Sequence, residues 1–276
     1  MGFRVNTNTP ALASQRTLRN TTAKLEKNVK HLASGSRITE AGDDAAGLAI
    51  SEKVKSVIRS AQQAQRNTND SVSMIQVAEG GMNEVQNMLT RLREISIQTA
   101  SDTVGNAERA MSDLEYQQLK LEIQRIAEST KYNGADLLNG QGGVYDFQVD
   151  IRSANAHRIS FAADESNVTV DGLGIEGLQV SEKSSAQQSL TTLDNAIEQV
   201  SRQRSNLGSI QARLVSSSNN LSVYEKSQSD ANSRIRDADY ASETAEMAKN
   251  SILQDAGTQV QASANNFGSA ALKLLS

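Results

Sequence analysis

Two histidines, two neighbouring acid pairs and one glycine-spaced hexapeptide are the residues whose types and spacing could do chemistry. His31 and His157 could ligate a metal or act as general bases. Asp43-Asp44 and Asp164-Glu165 could hold a cation, and Gly172, Gly174 and Gly177 reproduce the bare G-x-G-x-x-G spacing of a phosphate cradle. Each fails on context. There is no cysteine and no H-x-x-x-H pair, so the usual zinc sets are missing. His31 falls on a short amphipathic helix and His157 in a hairpin turn, where a polar surface role is the ordinary reading. Neighbouring aspartates at a helix start serve as caps and as favourable charges near the macrodipole. The stretch Gly35–Asp44 lacks the G-K-[ST] of a P-loop and follows no strand, and no helix in a βαβ setting opens after Gly177. No catalytic constellation remains.

The elements that would have to position such groups are long helices. From Ile50 the spacing runs 4-3-4-3 through Val54, Val57, Ala61, Ala64, Thr68, Ser71, Ile75, Ala78, Met82, Val85, Leu89 and Leu92, with only Thr68 and Ser71 polar. A helix from Asp43 to about Thr99 would be roughly 85 Å long at ~1.5 Å per residue. A turn at 101–106 precedes a second helix carrying Leu114, Leu119, Ile123 and Ile126, which stops near Asn133-Gly134. Tyr145, Phe147, Val149 and Ile151 alternate with polar residues, as do Ile159 and Phe161, which predicts a β-hairpin over about 144–162. Residues 163–180 read as irregular chain with short strands. Helix returns from about Ser184 with Leu190, Leu193, Ile197, Val200, Leu207, Ile210, Leu214 and Leu221, and breaks at 236–239. A last helix over about 241–274 carries Ala245, Ala248, Ile252, Val260, Ala264, Phe267, Ala271 and Leu274. At the other end Ala11, Leu18, Leu25 and Leu32 recur every seven residues.

The composition agrees. Aromatic residues make up 3% of the 276, with no Trp and one Pro, which narrow helix–helix seams tolerate and a thick globular core does not. A net charge of −4 supplies no basic field for nucleic acid. The N-terminus has no apolar h-region and no stretch approaches a membrane span, so a secreted chain would need a dedicated export route. The fold class expected is mainly α: a long antiparallel coiled-coil or helical-bundle rod with a β-hairpin at its mid-chain tip, and terminal helices that pair with each other.

Several segments resemble bacterial flagellin: VNTNTPALASQRTL (5–18), LASGSRITEAGDDAAGLAISEKV (32–54), RNTNDSVSMIQVAEGGMNEVQNMLTRLREISIQTAS (66–101), KYNGADLLNG (131–140), RSNLGSIQARL (204–214) and SRIRDADYASETAEMAKNSILQDAGTQVQASAN (233–265). Near the C-terminus the chain departs from the family's pattern, with Ser263-Ala264-Asn265 where Gln-Ala-Asn is usual and Gly268 near the usual proline. The resemblance implies an inner domain from 1–33 and 241–276, spoke linkers at 34–42 and 236–240, and a rod domain over 43–235. With only about twenty residues between the hairpin and the returning helix, the chain is similar to a minimal flagellin that lacks outer domains.

By that resemblance the chain is a structural subunit, not an enzyme. It would self-assemble into the helical flagellar filament, extracellular and either sheathed or bare, after secretion by the flagellar export apparatus. Polymerisation seams would use Leu18, Leu25, Leu32, Ile252, Val260, Phe267 and Leu274, and a spoke hinge would use Gly35, Gly42, Asp43 and Asp44. The implied partners are further copies, other flagellins, an export chaperone, the filament cap, hook-junction proteins, and a host Toll-like receptor through Arg91, Ile95 and Glu115. The same surface charges could instead serve rod packing. No cofactor, metal, nucleic acid or small-molecule substrate is implied. A hook–filament junction protein and a helical adhesin are the alternatives from other classes. The first shares related terminal helices, and the second would not need strong seams at both chain ends.

Overall fold

The computed structural model describes residues 7–154 and 157–273, with side chains through residue 266. Five helices dominate: α1 (Thr9–Ser34), α2 (Ala45–Thr99), α3 (Asn106–Ser129), α4 (Lys183–Arg236) and α5 (Tyr240–Lys273). Two small antiparallel strand pairs separate α3 from α4: β1 (Lys131–Tyr132) with β2 (Ala135–Asp136), and β3 (Val144–Gln148) with β4 (Arg158–Ala162).

The helix ends follow local chemistry. Asn8 caps α1 by accepting from the Ala11 N–H at 3.1 Å, Pro10 lies in the first turn, and Gly35 ends the helix at φ +66°, where a side chain would be strained. Glu108 reaches back to the Gly105 N–H at 3.1 Å to start α3. Between β1 and β2, Asn133 and Gly134 both take positive φ, 49° and 81°, as a two-residue hairpin turn of type I′ requires.

The chain divides into two compact units, residues 1–57 with 227–276, and residues 58–226. In the second unit one apolar core joins α2, α3, α4 and the strand pairs. Every α2 seam position from Ala61 to Leu92 is buried, the polar Thr68 and Ser71 included. Their hydroxyls donate to the carbonyls of Ala64 at 2.8 Å and Asn67 at 2.6 Å, so neither leaves an orphan in the seam. α2 and α4 run antiparallel, as the pairs Ser96–Ser189, Arg93–Asp194 and Gln62–Glu225 show. Ile50, Val54 and Val57 extend the sequence pattern but are not buried, and in α3 Leu114 is exposed although Ile123 is fully buried. Apolar burial along α2 begins at Ala61 and along α4 extends to Leu221.

Residues 163–182 contain no strand, contrary to expectation. They form a strap whose peptide groups are met by side chains of α3. The Val170 N–H donates to Gln124 and the Val180 N–H to Asp113, while Lys120 donates to the carbonyls of Glu176 and Leu178. Ladder pairing is unnecessary where side chains satisfy the backbone. Its Val168, Leu173, Ile175 and Val180 side chains are buried. Strand β3 likewise ends at Gln148, so Val149 and Ile151 leave the alternation that Tyr145 and Phe147 begin.

Candidate assembly surface and joint

α1 and α5 run antiparallel in the first unit, and the seam between them is polar. Asn8 donates to the Ala264 carbonyl at 2.7 Å and Ser14 to Gln261 at 2.6 Å. Asn250 donates to Asn28 at 2.9 Å, and Asn28 donates to Glu243 at 2.6 Å. Where Leu18 crosses, the partner is Gly257, on which a Cβ would sit 3.2 Å from the leucine methyl. Leu18, Leu25 and Leu32 are half-buried on this face.

Of the apolar stripe expected on α5, Ala264 is buried beside Asn8 of α1, while the larger side chains face away. Ile252 is 69% exposed and Val260 57% exposed, and Leu253, Leu12 and Val29 are also exposed. Phe267 lies beyond the described side chains and Leu274 outside the described residues. The sequence signal for the real seam was a second heptad. Ser14, Thr21 and Asn28 recur every seven residues on α1, as do Asn250, Gly257 and Ala264 on α5. A search for apolar periodicity passes over all of these but Ala264.

The joint between the terminal helix and α2 is built by aspartates and a backbone bridge. Asp43 accepts from the N–H groups of Thr39 at 3.0 Å and Glu40 at 3.1 Å and pairs with Lys27 at 2.7 Å. The Lys27 ammonium, then those N–H donors, holds its carboxyl well below the usual carboxylate range. Asp44 caps α2 by accepting from the Gly47 N–H at 2.8 Å, and a Cβ on Gly47 would strike that carboxylate and the Ile38 side chain. Of the expected hinge glycines, Gly35 is in the left-handed region while Gly42 takes no positive φ and has open space around it. Ser36 and Asp237 pair as an antiparallel bridge, with the Ala238 N–H donating to the Gly35 carbonyl at 2.9 Å. Ile38, buried at 1%, lies beside it in the chain. Nothing in the residue pattern announced this bridge, because it pairs backbone groups far apart in the chain, with the Arg37 guanidinium adding a bond to the Ile235 carbonyl at 2.9 Å.

His31 is not a surface residue. It is 5% exposed, its Nδ1 lies 3.0 Å from Glu243 and its Nε2 lies 3.8 Å from Asp43. The His31 contact first, then the Asn28 amide, holds the Glu243 carboxyl below its ordinary range. His157 pairs with Asp150 at 2.6 Å at the mouth of the β3–β4 hairpin. Among the described residues no group of three His, Cys, Asp or Glu could hold a metal, and no helix is long and apolar enough to cross a membrane.

In the second unit Arg91 and Glu115 are brought together across α2 and α3, Nη2 to Oε1 at 2.8 Å, both about half exposed. Ile95 does not join them. It is 2% exposed and belongs to the core, since position 95 turns toward the seam that Leu92 occupies.

Comparison with known proteins identifies this arrangement. The family model for the bacterial flagellin N-terminal helical region matches residues 5–142, and that for the C-terminal helical region matches residues 190–275. The chain is 36% identical to a flagellin of Halalkalibacterium halodurans over 98% of this chain and 99% of that one. It is 35% identical to the flagellar filament 33 kDa core protein of Treponema phagedenis, again over 98% and 99%. The crystal structure of Bacillus cereus flagellin superposes with a TM-score of 0.51 at 28% identity, over 56% of this chain and 88% of that one. Two family models that bracket the helices at both ends, with near-full-length relatives of the same kind, settle the matter: the chain belongs to the bacterial flagellin family.

Proposed function

We propose that the chain is the structural subunit of a helical flagellar filament, and that its first unit completes its fold only among neighbouring copies. One observation carries this reading: Ile252, Leu253, Val260, Leu12 and Val29 stand exposed on two helices whose mutual seam is polar. A polar seam selects register and adds little stability. Ordering a helix costs about 1–2 kcal/mol per residue in backbone entropy, which this pair recovers only when its outward residues are covered. Burial at roughly 25 cal/mol per Å² then favours assembly, and head-to-tail contacts whose rotation does not close give a helix rather than a ring.

On this reading Leu18, Leu25 and Leu32 steady the pair, and Ile252 and Val260 meet neighbouring copies. Residues 1–33 with 241–276 are the inner domain, 34–42 with 236–240 the spoke, and 43–235 the rod. The role is structural, with no enzymatic step. Export by the flagellar apparatus, an export chaperone, a filament cap, hook-junction proteins and co-assembling flagellins are the partners it calls for. Arg91 and Glu115 form the exposed pair that a Toll-like receptor would contact, with Ile95 withdrawn from that surface.

The test is electron microscopy of full-length protein seeded with sheared filaments, beside a fragment of residues 42–236. Filaments from the full chain only are expected. Equal polymerisation of the fragment would place assembly outside the terminal helices and overturn the reading.

A further inference from the structure

Three large apolar side chains of α3 have no cover within their own unit. Met111 is 72% exposed, Leu114 70% and Leu121 63%, and steps of three and seven residues put them in one row along the helix. The row is turned away from the core, which α3 meets through Tyr116, Ile123 and Ala127. Exposed apolar rows of this kind mark contact surfaces. We propose that the row docks on the outer face of α4 of a second copy. The proposal rests on the filament reading and adds to it a contact between rods.

α4 offers a surface that such a row fits. Gly208, Ala212, Val215 and Asn219 recur at 4-3-4 spacing and line an open groove of about 530 Å³, on the face opposite Leu207, Leu214 and Leu221. A glycine inside a helix costs stability, and a Cβ on Gly208 would meet nothing within 4 Å, so the chain's own packing gives no reason for it. On the floor of a contact it leaves room for a leucine or methionine from outside.

Charge selects a second copy as the occupant. Arg204 and Arg213 flank the groove, and among the described residues neither side chain has an ion pair or a hydrogen bond, the buried Nε of Arg204 included. Carboxylates flank the α3 row. Glu115 and Glu122 face their own Arg91 and Arg125, which leaves the strap, with Asp171 and Glu176 both exposed beside Leu121, as the acidic side. Row on groove sets opposite charges together, while groove on groove would set arginine against arginine.

The two surfaces lie at different levels of the unit. The Arg91–Glu115 pair sets the row beside residue 91 of α2, and the Gln65–Ser218 pair sets the groove nearer residue 65. Copies that point the same way are therefore displaced by roughly 25–30 Å along α2, at ~1.5 Å per residue. A displaced head-to-tail contact closes no ring and propagates as a filament. The contact is small, so it acts where the terminal helices already hold copies side by side.

The chain has no cysteine, so introduced thiols report the contact directly. Full-length protein carrying Leu114→Cys and Ala212→Cys, both at exposed positions, is grown on wild-type seeds and treated with a short bifunctional maleimide. A ladder of linked copies is expected. It should be absent from L114C alone, from A212C alone, and from L114C combined with Val77→Cys, an exposed site on α2. If the double variant does not assemble, the two single variants mixed into excess wild type should give linked dimers. Filaments without linkage, linkage in L114C alone, or equal linkage with V77C would overturn the docking alone. So would an L114C thiol that a bulky maleimide labels as fast in filaments as in monomer, since the row would then be free for another partner. Wild type that forms no filaments with a competent seed would overturn the filament reading and the docking with it.

Discussion

The two units solve the same problem, long antiparallel helices, with opposite chemistry. In residues 58–226 the seams are apolar and closed: Leu89, Leu92, Leu193, Val200 and Leu214 are all buried within 1% of full occlusion or better. In the other unit Ile38 and Ala264 are the only buried apolar side chains among those described, and the helix pair is joined by Asn, Ser, Gln and Glu. The difference teaches that helix length says nothing about where stability resides. One unit carries its own core, while the other leaves Leu12, Val29, Ile252, Leu253 and Val260 exposed.

The sharpest way to break this contrast is to charge the outward face. Ile252→Asp with Val260→Asp should raise the critical concentration for filament growth by at least ~100-fold, because carboxylates would have to be buried between copies. The urea midpoint of the monomer should not move. A matched shift in both would mean the face is already buried in the monomer.

Leu89→Ala tests the closed side. It should destabilise the monomer by about 2–5 kcal/mol in urea titration, through a cavity in a fully buried seam. Gly81→Ala should cost less, about 1–3 kcal/mol, since the added Cβ would lie 2.7 Å from a Leu138 methyl and 2.8 Å from the Thr130 hydroxyl. Without that crowding, alanine would be the better helix former and would stabilise.

The smallest effect concerns pH. Burial pushes the Tyr116 hydroxyl up to about 12. A raised value contributes stability that is present below the ordinary tyrosine range, near ~10, and is lost as pH climbs from there towards the folded value. Tyr116→Phe should therefore flatten the alkaline limb of the monomer stability curve between those limits while leaving neutral pH nearly unchanged. Identical alkaline limbs would assign the transition to another group.

Legibility in the sequence divides along the same line. The closed unit was readable because apolar periodicity is the signal of a closed core: the run from Ala61 to Leu92 is buried as spaced, and Asn133-Gly134 turns where its dipeptide says. The terminal pair was readable as helices but not as a seam, because leucines at sevenfold spacing drew attention from Ser14, Thr21 and Asn28, which recur at the same period. His31 read as a surface residue because its carboxylate partners come from Asp43, beyond a turn, and Glu243, at the far end of the chain. The Ser36–Asp237 bridge left no trace, since backbone pairing at one residue has no periodicity. Ile95 entered beside Arg91 and Glu115 only through the resemblance, and its helical phase follows Leu92 into the core.

The central claim is that the first unit is completed by assembly and the second is not. Amide hydrogen exchange on the full chain, monomer beside filament, tests it most directly. The account predicts that residues 9–34 and 240–266 exchange fast in the monomer and become protected in the filament, while Ala61–Thr99 and Leu193–Leu221 are protected in both. Terminal helices as protected in the monomer as in the filament would contradict it.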